Sequence, residues 1–249
     1  MSIIALSFTL IFVMITMLAS VWQKVGLEKE IAIGTIRSAI QLLLVGYVLQ
    51  YVFNTENPLL LLLIISIMML VAAYNASKRA KGVRGMVWRI FVSIALTEIL
   101  MMALVLGLGI VEVSPRYIIP ISGMTIGNAM VVAGLFLNRM KEEVHTSRPE
   151  METLLSLGAT AKQAVHPQLK KAVKSSMIPT IDSMKTVGIV QLPGMMTGMI
   201  IAGADPIEAV RYQILIVFAF TSSAAITAIT LSLLSYKLWF TDDLRVKDY

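Results

Sequence analysis

Hydrophobic side chains fill seven stretches of the chain, and short polar links separate them. The stretches cover residues 1–22, 31–53, 58–74, 87–110, 117–137, 178–202 and 212–238. Because a helix rises about 1.5 Å per residue, roughly 20 apolar residues cross a hydrocarbon core of about 30 Å. The pattern therefore predicts an all-α fold, a polytopic bundle of about seven membrane spans that forms one domain over residues 1–249.

Residues 138–177 are the one long polar excursion between two spans. The sequence Ser-Arg-Pro-Glu at 147–150 has the spacing of a capping box, which predicts a helix that starts at the second of these residues. Gly158 suits the end of that helix, because glycine adopts a positive φ without strain. A second capping box at residues 160–163 predicts another helix, so the excursion is interpreted as a helical elbow.

The elbow has an apolar face, since Leu154, Leu157, Gly158 and Ala161 follow helical spacing. A solvated loop is the simpler alternative, but such a loop has no use for an apolar helical face. We expect this face to dock in a groove of another protein. The candidate contact residues are Glu152, Leu154, Leu157, Gly158, Ala159 and Ala161. A DNA-reading helix-turn-helix is disfavoured because both flanks are tied to membrane spans, so no nucleic-acid partner is expected.

The chain carries 21 Lys and Arg residues against 15 Asp and Glu, and the basic residues are concentrated in alternate links. The first, third and fifth links and the C-terminal tail hold nearly all of them, whereas the remaining links have only Arg116 and Arg211. Basic residues of membrane proteins accumulate in cytoplasmic loops. This distribution predicts an external N-terminus, a cytoplasmic C-terminus and a cytoplasmic elbow.

Several charged or polar residues lie inside predicted spans, where each is unfavourable unless it is paired or faces a cavity. Arg37 with Gln41 lies in the second span, Glu98 in the fourth, and Asp182 with Lys185 in the sixth. The last two are three residues apart and can pair on one helix face. Pairing within the bundle is the simpler interpretation for most of them, and Glu98, the deepest, is the candidate exception.

The fifth and sixth spans each contain a G-x-x-x-G step, which lets helices approach closely. In the sixth, Pro193 cannot donate to the carbonyl of Ile189, and irregular backbone in a membrane is stable only within protein or beside a water-filled cavity. These spans are therefore predicted to line a path. The candidate path residues are Glu98, Asn128, Asp182, Pro193, Gly194, Met195, Met196 and Met199. Thioethers bind soft ions and carboxylates harder ones, while the methionines are equally explained by packing, so no metal is selected.

Several kinds of chemistry are excluded by the composition. The chain has no cysteine, and therefore no disulfide, thiolate site or thiol nucleophile. It lacks G-x-x-x-x-G-K-[ST], so any ATP must be bound by another chain. The two histidines lie in the polar excursion without a metal-binding motif, and no G-x-S-x-G is present. We expect neither enzymatic activity nor a cofactor bound by this chain.

Glu152 followed by Gly158 and Ala159 resembles the EAA loop of ABC-transporter membrane subunits, although Thr153 and Leu154 replace the alanines of that motif. A closer resemblance, to the FetB (YbbM) permease family, extends over nearly the whole chain and is clearest in seven segments. They are residues 37–49, 123–130, 155–160, 178–188, 192–198, 202–206 and 211–214.

This resemblance implies the permease half of an ABC transporter that exports iron from the cell across the inner (plasma) membrane and protects against oxidative stress. It implies a FetA-like ATPase subunit that binds ATP and Mg, a homodimer of the permease, and a metal cation as cargo. Plant relatives linked to aluminium tolerance leave the substrate less secure than the architecture. The alternatives are an ABC permease for another metal, an organic molecule or a nucleotide sugar, a stand-alone channel or secondary carrier, and a membrane scaffold without transport.

Overall fold

A computed structural model describes residues 8–53, 57–80, 83–241 and 243–247. In these residues the structure has nine α-helices, two short 3-10 helices and no β-strand. The α-helices are α1 Leu10–Trp22, α2 Glu28–Phe53, α3 Pro58–Ser77, α4 Met86–Gly107, α5 Pro115–Thr146, α6 Arg148–Ser156, α7 Ala161–Thr186, α8 Gly194–Ile201 and α9 Pro206–Ser235. The 3-10 helices are Lys78–Ala80 and Tyr236–Trp239. The predicted all-α class is confirmed.

Five helical segments of the described chain are long and apolar enough to cross a membrane. They are Glu28–Phe53, Pro58–Ala80, Met86–Gly107, Pro115–Thr146 and Pro206–Trp239. These segments match the predicted second, third, fourth, fifth and seventh spans. The described part of the predicted first span forms α1, an apolar helix that is shorter than the other five. Residues 1–7 lie outside the described residues.

The predicted sixth span, residues 178–202, is not one helix. We expected a break at Pro193, but α7 already ends at Thr186 and the eight-residue α8 begins only at Gly194. Gly188 has a φ of +85°, and its N–H donates to the carbonyl of Gln191 at 2.9 Å. A closed turn therefore separates α7 from α8, and the proline that predicted the break does not predict this turn.

Two helices extend further than the excursion at residues 138–177 suggested. Helix α5 continues to Thr146 because Arg139 pairs with Glu142 and Glu143, one turn further along the same helix. Helix α7 runs without interruption from Ala161 to Thr186, and so joins the second elbow helix to the start of the predicted sixth span. The elbow therefore consists of α6 and the adjoining ends of two long helices, α5 and α7.

The described chain divides into two compact units, residues Met1–Asn57 and Pro58–Tyr249. In the first unit, α1 packs on α2, and the turn between them is closed by Ser20. Its hydroxyl donates to Glu28 Oε2 at 3.1 Å and accepts the N–H of Leu27 at 3.0 Å. The shared hydroxyl therefore fixes the start of α2 against the end of α1.

In the second unit, α5 is the central helix and contacts α3, α4, α7 and α9. Its side chains Phe136, Leu137 and Met140 are fully buried. The same apolar core continues to Met151 in α6 and Trp239 after α9. One uninterrupted core therefore joins the membrane part of this unit to the elbow.

Replacing Phe136 with Ala should destabilise the protein by about 3–5 kcal/mol, because the deletion leaves a cavity in the centre of this core. Val131→Ala on the same helix is the matched control, since Val131 is 53% exposed. Thermal unfolding of both variants in detergent measures the difference. Equal melting temperatures for the two variants would contradict the central position of α5.

Candidate functional site

The elbow begins where the sequence predicted, although the reason was wrong. Helix α6 starts at Arg148, but the side chain of Ser147 makes no capping hydrogen bond. Instead the Ser147 carbonyl accepts the N–H of Met151 at 3.0 Å, and the Ser147 N–H donates to the carbonyl of Glu143. One residue thus ends α5 and starts α6 through its backbone groups, and its hydroxyl does not cap the helix.

The corner of the elbow has the predicted geometry. Gly158 has a φ of +90°, and a side chain at this position would meet no atom within 4 Å. Its N–H donates to the carbonyl of Leu155, and the N–H of Ala159 donates to the carbonyl of Leu154, both at 3.0 Å. Glycine is therefore required here by backbone conformation and not by crowding.

The second capping box is formed. The N–H of Gln163 donates to Thr160 Oγ1 at 3.3 Å, and the N–H of Thr160 donates to Gln163 Oε1 at 2.9 Å. These reciprocal bonds satisfy two backbone donors at the start of α7. The prediction from residues 160–163 is confirmed, and the box fixes the direction in which α7 leaves the corner.

The predicted docking residues of the elbow divide into two sets. Leu154 and Ala161 pack against the core of this chain. Leu157 is 79% exposed, and Gly158 and Glu152 also lie at the surface. Glu152 accepts a hydrogen bond from Arg148 Nε at 2.8 Å. The surface available to another protein is therefore the corner itself, Leu157 and Gly158, beside the Arg148–Glu152 pair.

Sequence reasoning missed two residues that hold the elbow. Met151 is fully buried and carries the inward face of α6, whose i, i+3, i+4 pattern runs through Leu154 and Leu155. Glu143 is almost fully buried and is paired with Arg139 of α5 and with Lys171 of α7, whose Nζ lies 3.4 Å from Glu143 Oε2. This carboxylate links the two helices on either side of the elbow.

Glu98 is only 4% exposed and faces α5 from α4. Thr125 Oγ1 donates to its Oε2 at 2.6 Å, while Oε1 has no hydrogen-bond partner among the described residues. The hydroxyls of Thr97 on α4 and Thr227 on α9 are bonded at 2.9 Å. We call these four residues the polar seam. It runs between α4, α5 and α9, and the sequence pointed only to Glu98.

Asn128 lies in a groove of about 230 Å³ between α5, α7 and α9. Its Nδ2 donates to the carbonyl of Phe220 at 2.8 Å and to Ser223 Oγ at 3.2 Å. Thr180 and Ser183 of α7 line the same groove, whose other lining residues are mostly apolar. The amide side chain thus joins α5 to α9 and still borders open space.

Asp182 and Lys185 form the predicted pair, with Lys185 Nζ 3.5 Å from Asp182 Oδ1. Both side chains are exposed, at 63% and 68%. The pair is therefore not enclosed by the unit that carries it.

The residues at the predicted break are distributed over two other grooves. Pro193 and Met196 line one of about 410 Å³ together with Gln213 of α9. Met195 and Met199 line another of about 340 Å³ together with Glu208. Gly194 has open space where a side chain would be, and no residue of α8 is buried. The candidate path residues thus do not form one cluster.

The described residues contain no group of three or more His, Asp or Glu side chains that could hold a metal ion. A carboxylate at Glu98, a carboxylate at Asp182 and the thioethers of α8 instead lie at separate places along the second unit.

The sequence profile of the uncharacterised protein family UPF0014 matches residues 3–240. The chain belongs to this family. Its members are described as membrane proteins, in agreement with the apolar helices of the structure, and the chain is a multi-pass membrane protein.

Three relatives show how closely this UPF0014 chain follows proteins of other organisms. It is 49% identical to UPF0014 membrane protein YjkA of Bacillus subtilis over 99% of both chains. It is 39% identical to the Probable iron export permease protein FetB of Escherichia coli over 95% of this chain and 91% of that one. It is 40% identical to Protein ALUMINUM SENSITIVE 3 of Arabidopsis thaliana over 93% and 85%. The resemblance to the FetB family is confirmed, and no solved structure matches the chain significantly.

Thr125→Val should destabilise the protein by about 1–3 kcal/mol, because it keeps the shape of the side chain and leaves the buried Glu98 carboxyl without its donor. The matched control is Thr16→Val, since the Thr16 hydroxyl is exposed and bonds only to a carbonyl of its own helix. Thermal unfolding in detergent compares the two. A melting temperature for Thr125→Val that equals the control would show that the polar seam has no role in stability.

Proposed function

We propose that this UPF0014 protein is the permease subunit of an ABC transporter that exports metal cations, with iron as the first candidate, and so supports metal homeostasis and resistance to oxidative stress. A separate ATPase subunit would bind ATP and Mg and hydrolyse the nucleotide, while this chain binds no cofactor and is not an enzyme. The relative named as an iron export permease supports the substrate. The observation that carries the proposal is the elbow, which presents an exposed corner on a rigidly attached helix.

The elbow is connected to the bundle in a way that would transmit a displacement from a bound partner. Helix α5 has 32 residues and is therefore about 48 Å long, so it runs from the start of the elbow to the opposite end of the bundle. Met151 anchors α6 in the common core, and Glu143 links α5 to α7. A displacement of the corner would therefore move α5 and α7 together, and these helices carry Thr125 of the polar seam and the walls of the Asn128 groove.

The proposed orientation places the elbow and the C-terminus in the cytoplasm and the N-terminus outside, in the inner (plasma) membrane. Lys170, Lys171 and Lys174 lie on α7 close to the elbow, as the positive-inside rule requires for a cytoplasmic segment. An ATPase of the cytosol would then meet Leu157 and Gly158 directly. A stand-alone channel or a secondary carrier would have no use for this exposed corner.

The proposed path passes the carboxylates of Glu98 and Asp182 and the methionines of α8. Carboxylate oxygens suit hard and borderline cations, and thioethers suit softer ones. A second candidate is an ABC permease of the same architecture for another substrate. It is favoured by the relative named for aluminium sensitivity and by the lack of a compact carboxylate cluster among the described residues.

Leu157→Ser should weaken binding of the ATPase subunit by about tenfold or more, because an exposed leucine that becomes buried in a partner contributes about 1.5–3 kcal/mol. The fold should be unchanged, since this side chain does not contact the core. Copurification of the tagged ATPase measures the effect. The matched control is Leu108→Ser, because Leu108 is 70% exposed just after α4 and away from the elbow. Undiminished copurification would exclude the corner as the contact.

Glu98→Gln should abolish most of the metal-stimulated ATP hydrolysis of the reconstituted complex, because the amide keeps the shape of the carboxyl but cannot become an anionic ligand for a cation. Glu30→Gln, at an exposed position in the first turn of α2, is the control. The assay compares Fe, Mn, Zn and a panel of organic molecules in proteoliposomes. If only an organic molecule stimulates ATP hydrolysis, and does so in both variants, the metal cargo is wrong and the second candidate replaces it.

A further inference from the structure

The depth of the α7 residues in the membrane follows from their neighbours. Asn128 is close to the middle of the apolar segment 117–137 of α5, and therefore close to the middle of a bilayer that this segment crosses. Thr180 and Ser183 of α7 line the same groove as Asn128. Thr221 Oγ1 of α9 also lies 3.4 Å from Met184 Sδ. The second half of α7 is thus at the depth of the hydrocarbon core.

The side of α7 that points away from these neighbours is charged. Ile178, Asp182 and Lys185 have the spacing i, i+4, i+7 and lie on one helix face, which we call the α7 stripe. Ile178 is 50% exposed, and the two charged side chains are more exposed still. Charged side chains at the depth of the hydrocarbon core are unfavourable against lipid, even as a pair, unless protein or water surrounds them. The stripe therefore does not face lipid.

The outer faces of α3 and α4 differ from the stripe in chemistry. Their exposed side chains at similar depth are aliphatic, for example Ile67 and Leu70 on α3 and Ile99 and Leu100 on α4. Such a surface suits lipid chains without any further partner. The second unit thus has a lipid-compatible side and a polar side, and only the polar side needs a protein neighbour or enclosed water.

We propose that a second copy of this chain packs over the α7 stripe, so that two copies enclose their Asp182–Lys185 pairs in one shared interface. A two-fold contact uses the same patch on both copies, and a patch with one acid and one base is complementary to itself. This inference deepens the proposed function by naming the surface that closes the path.

The lack of cysteine makes the test direct, because a single introduced thiol is the only one in the chain. Ile178→Cys places it on the α7 stripe without altering the charged pair. Ile99→Cys is the control at matched depth, since the preceding residue, Glu98, is bonded to Thr125 in the middle part of α5. Both variants are expressed in cells with the intact complex, and the membranes are treated with a short thiol cross-linker. Most of the Ile178→Cys protein should shift to twice its mass, whereas Ile99→Cys should remain monomeric.

Equal dimer yields for the two variants, or none for either, would overturn the proposal. A further double variant, Ile178→Cys with Gln41→Cys, tests whether α2 of the same chain covers the stripe, because an intrachain cross-link without a dimer would also overturn it. Copurification of the ATPase from the same membranes separates this result from the proposed function. If the ATPase binds while Ile178→Cys forms no dimer, the stripe is not the contact between copies and the transporter assignment is unaffected.

Discussion

Lipid offers no partner for a hydrogen bond, and the placement of the polar residues in this protein follows from that constraint. Thr97 and Thr227 bond to each other across α4 and α9, and Asn128 bonds to the backbone of α9. Glu98 receives a hydroxyl from α5 on one oxygen and leaves the other without a partner among the described residues. Polar side chains in the bundle thus specify which helices are neighbours.

The elbow depends on the same helices, since α6 has only nine residues and its inward face enters a core that begins within the membrane part. An isolated helix of this length is unstable in water, so packing and not propensity holds it. This explains why the apolar face predicted as a docking surface is largely used by the chain itself. Only the residues at the turn remain free for a partner, which narrows the expected contact to a small, well-positioned corner.

Local signals in the sequence predicted the corner well, because capping and a positive φ depend on residues a few positions apart. Thr160 with Gln163, and Gly158, are examples. Contacts between distant residues were not predictable in this way: Glu143 and Lys171 come together only because α5 and α7 are adjacent. The turn at residues 187–193 was missed since hydropathy alone treats Ile189, Val190 and Leu192 as span residues. Hydropathy predicted the long helices. The residues around Glu98 could not be predicted in this way, because three packed helices supply them.

Helices α5 and α7 differ in how they respond to load. Helix α7 contains Pro167 and Pro179, and each removes one backbone hydrogen bond from the interior of the helix. The proline inside α5, Pro120, is close to the end of that helix remote from the elbow. Of these two helices, which are linked at the elbow, α5 is therefore the stiffer and α7 bends more readily. A displacement of the corner at Gly158 would therefore move the linked ends of α5 and α7 together and bend α7 more than α5, which would change the width of the Asn128 groove between them.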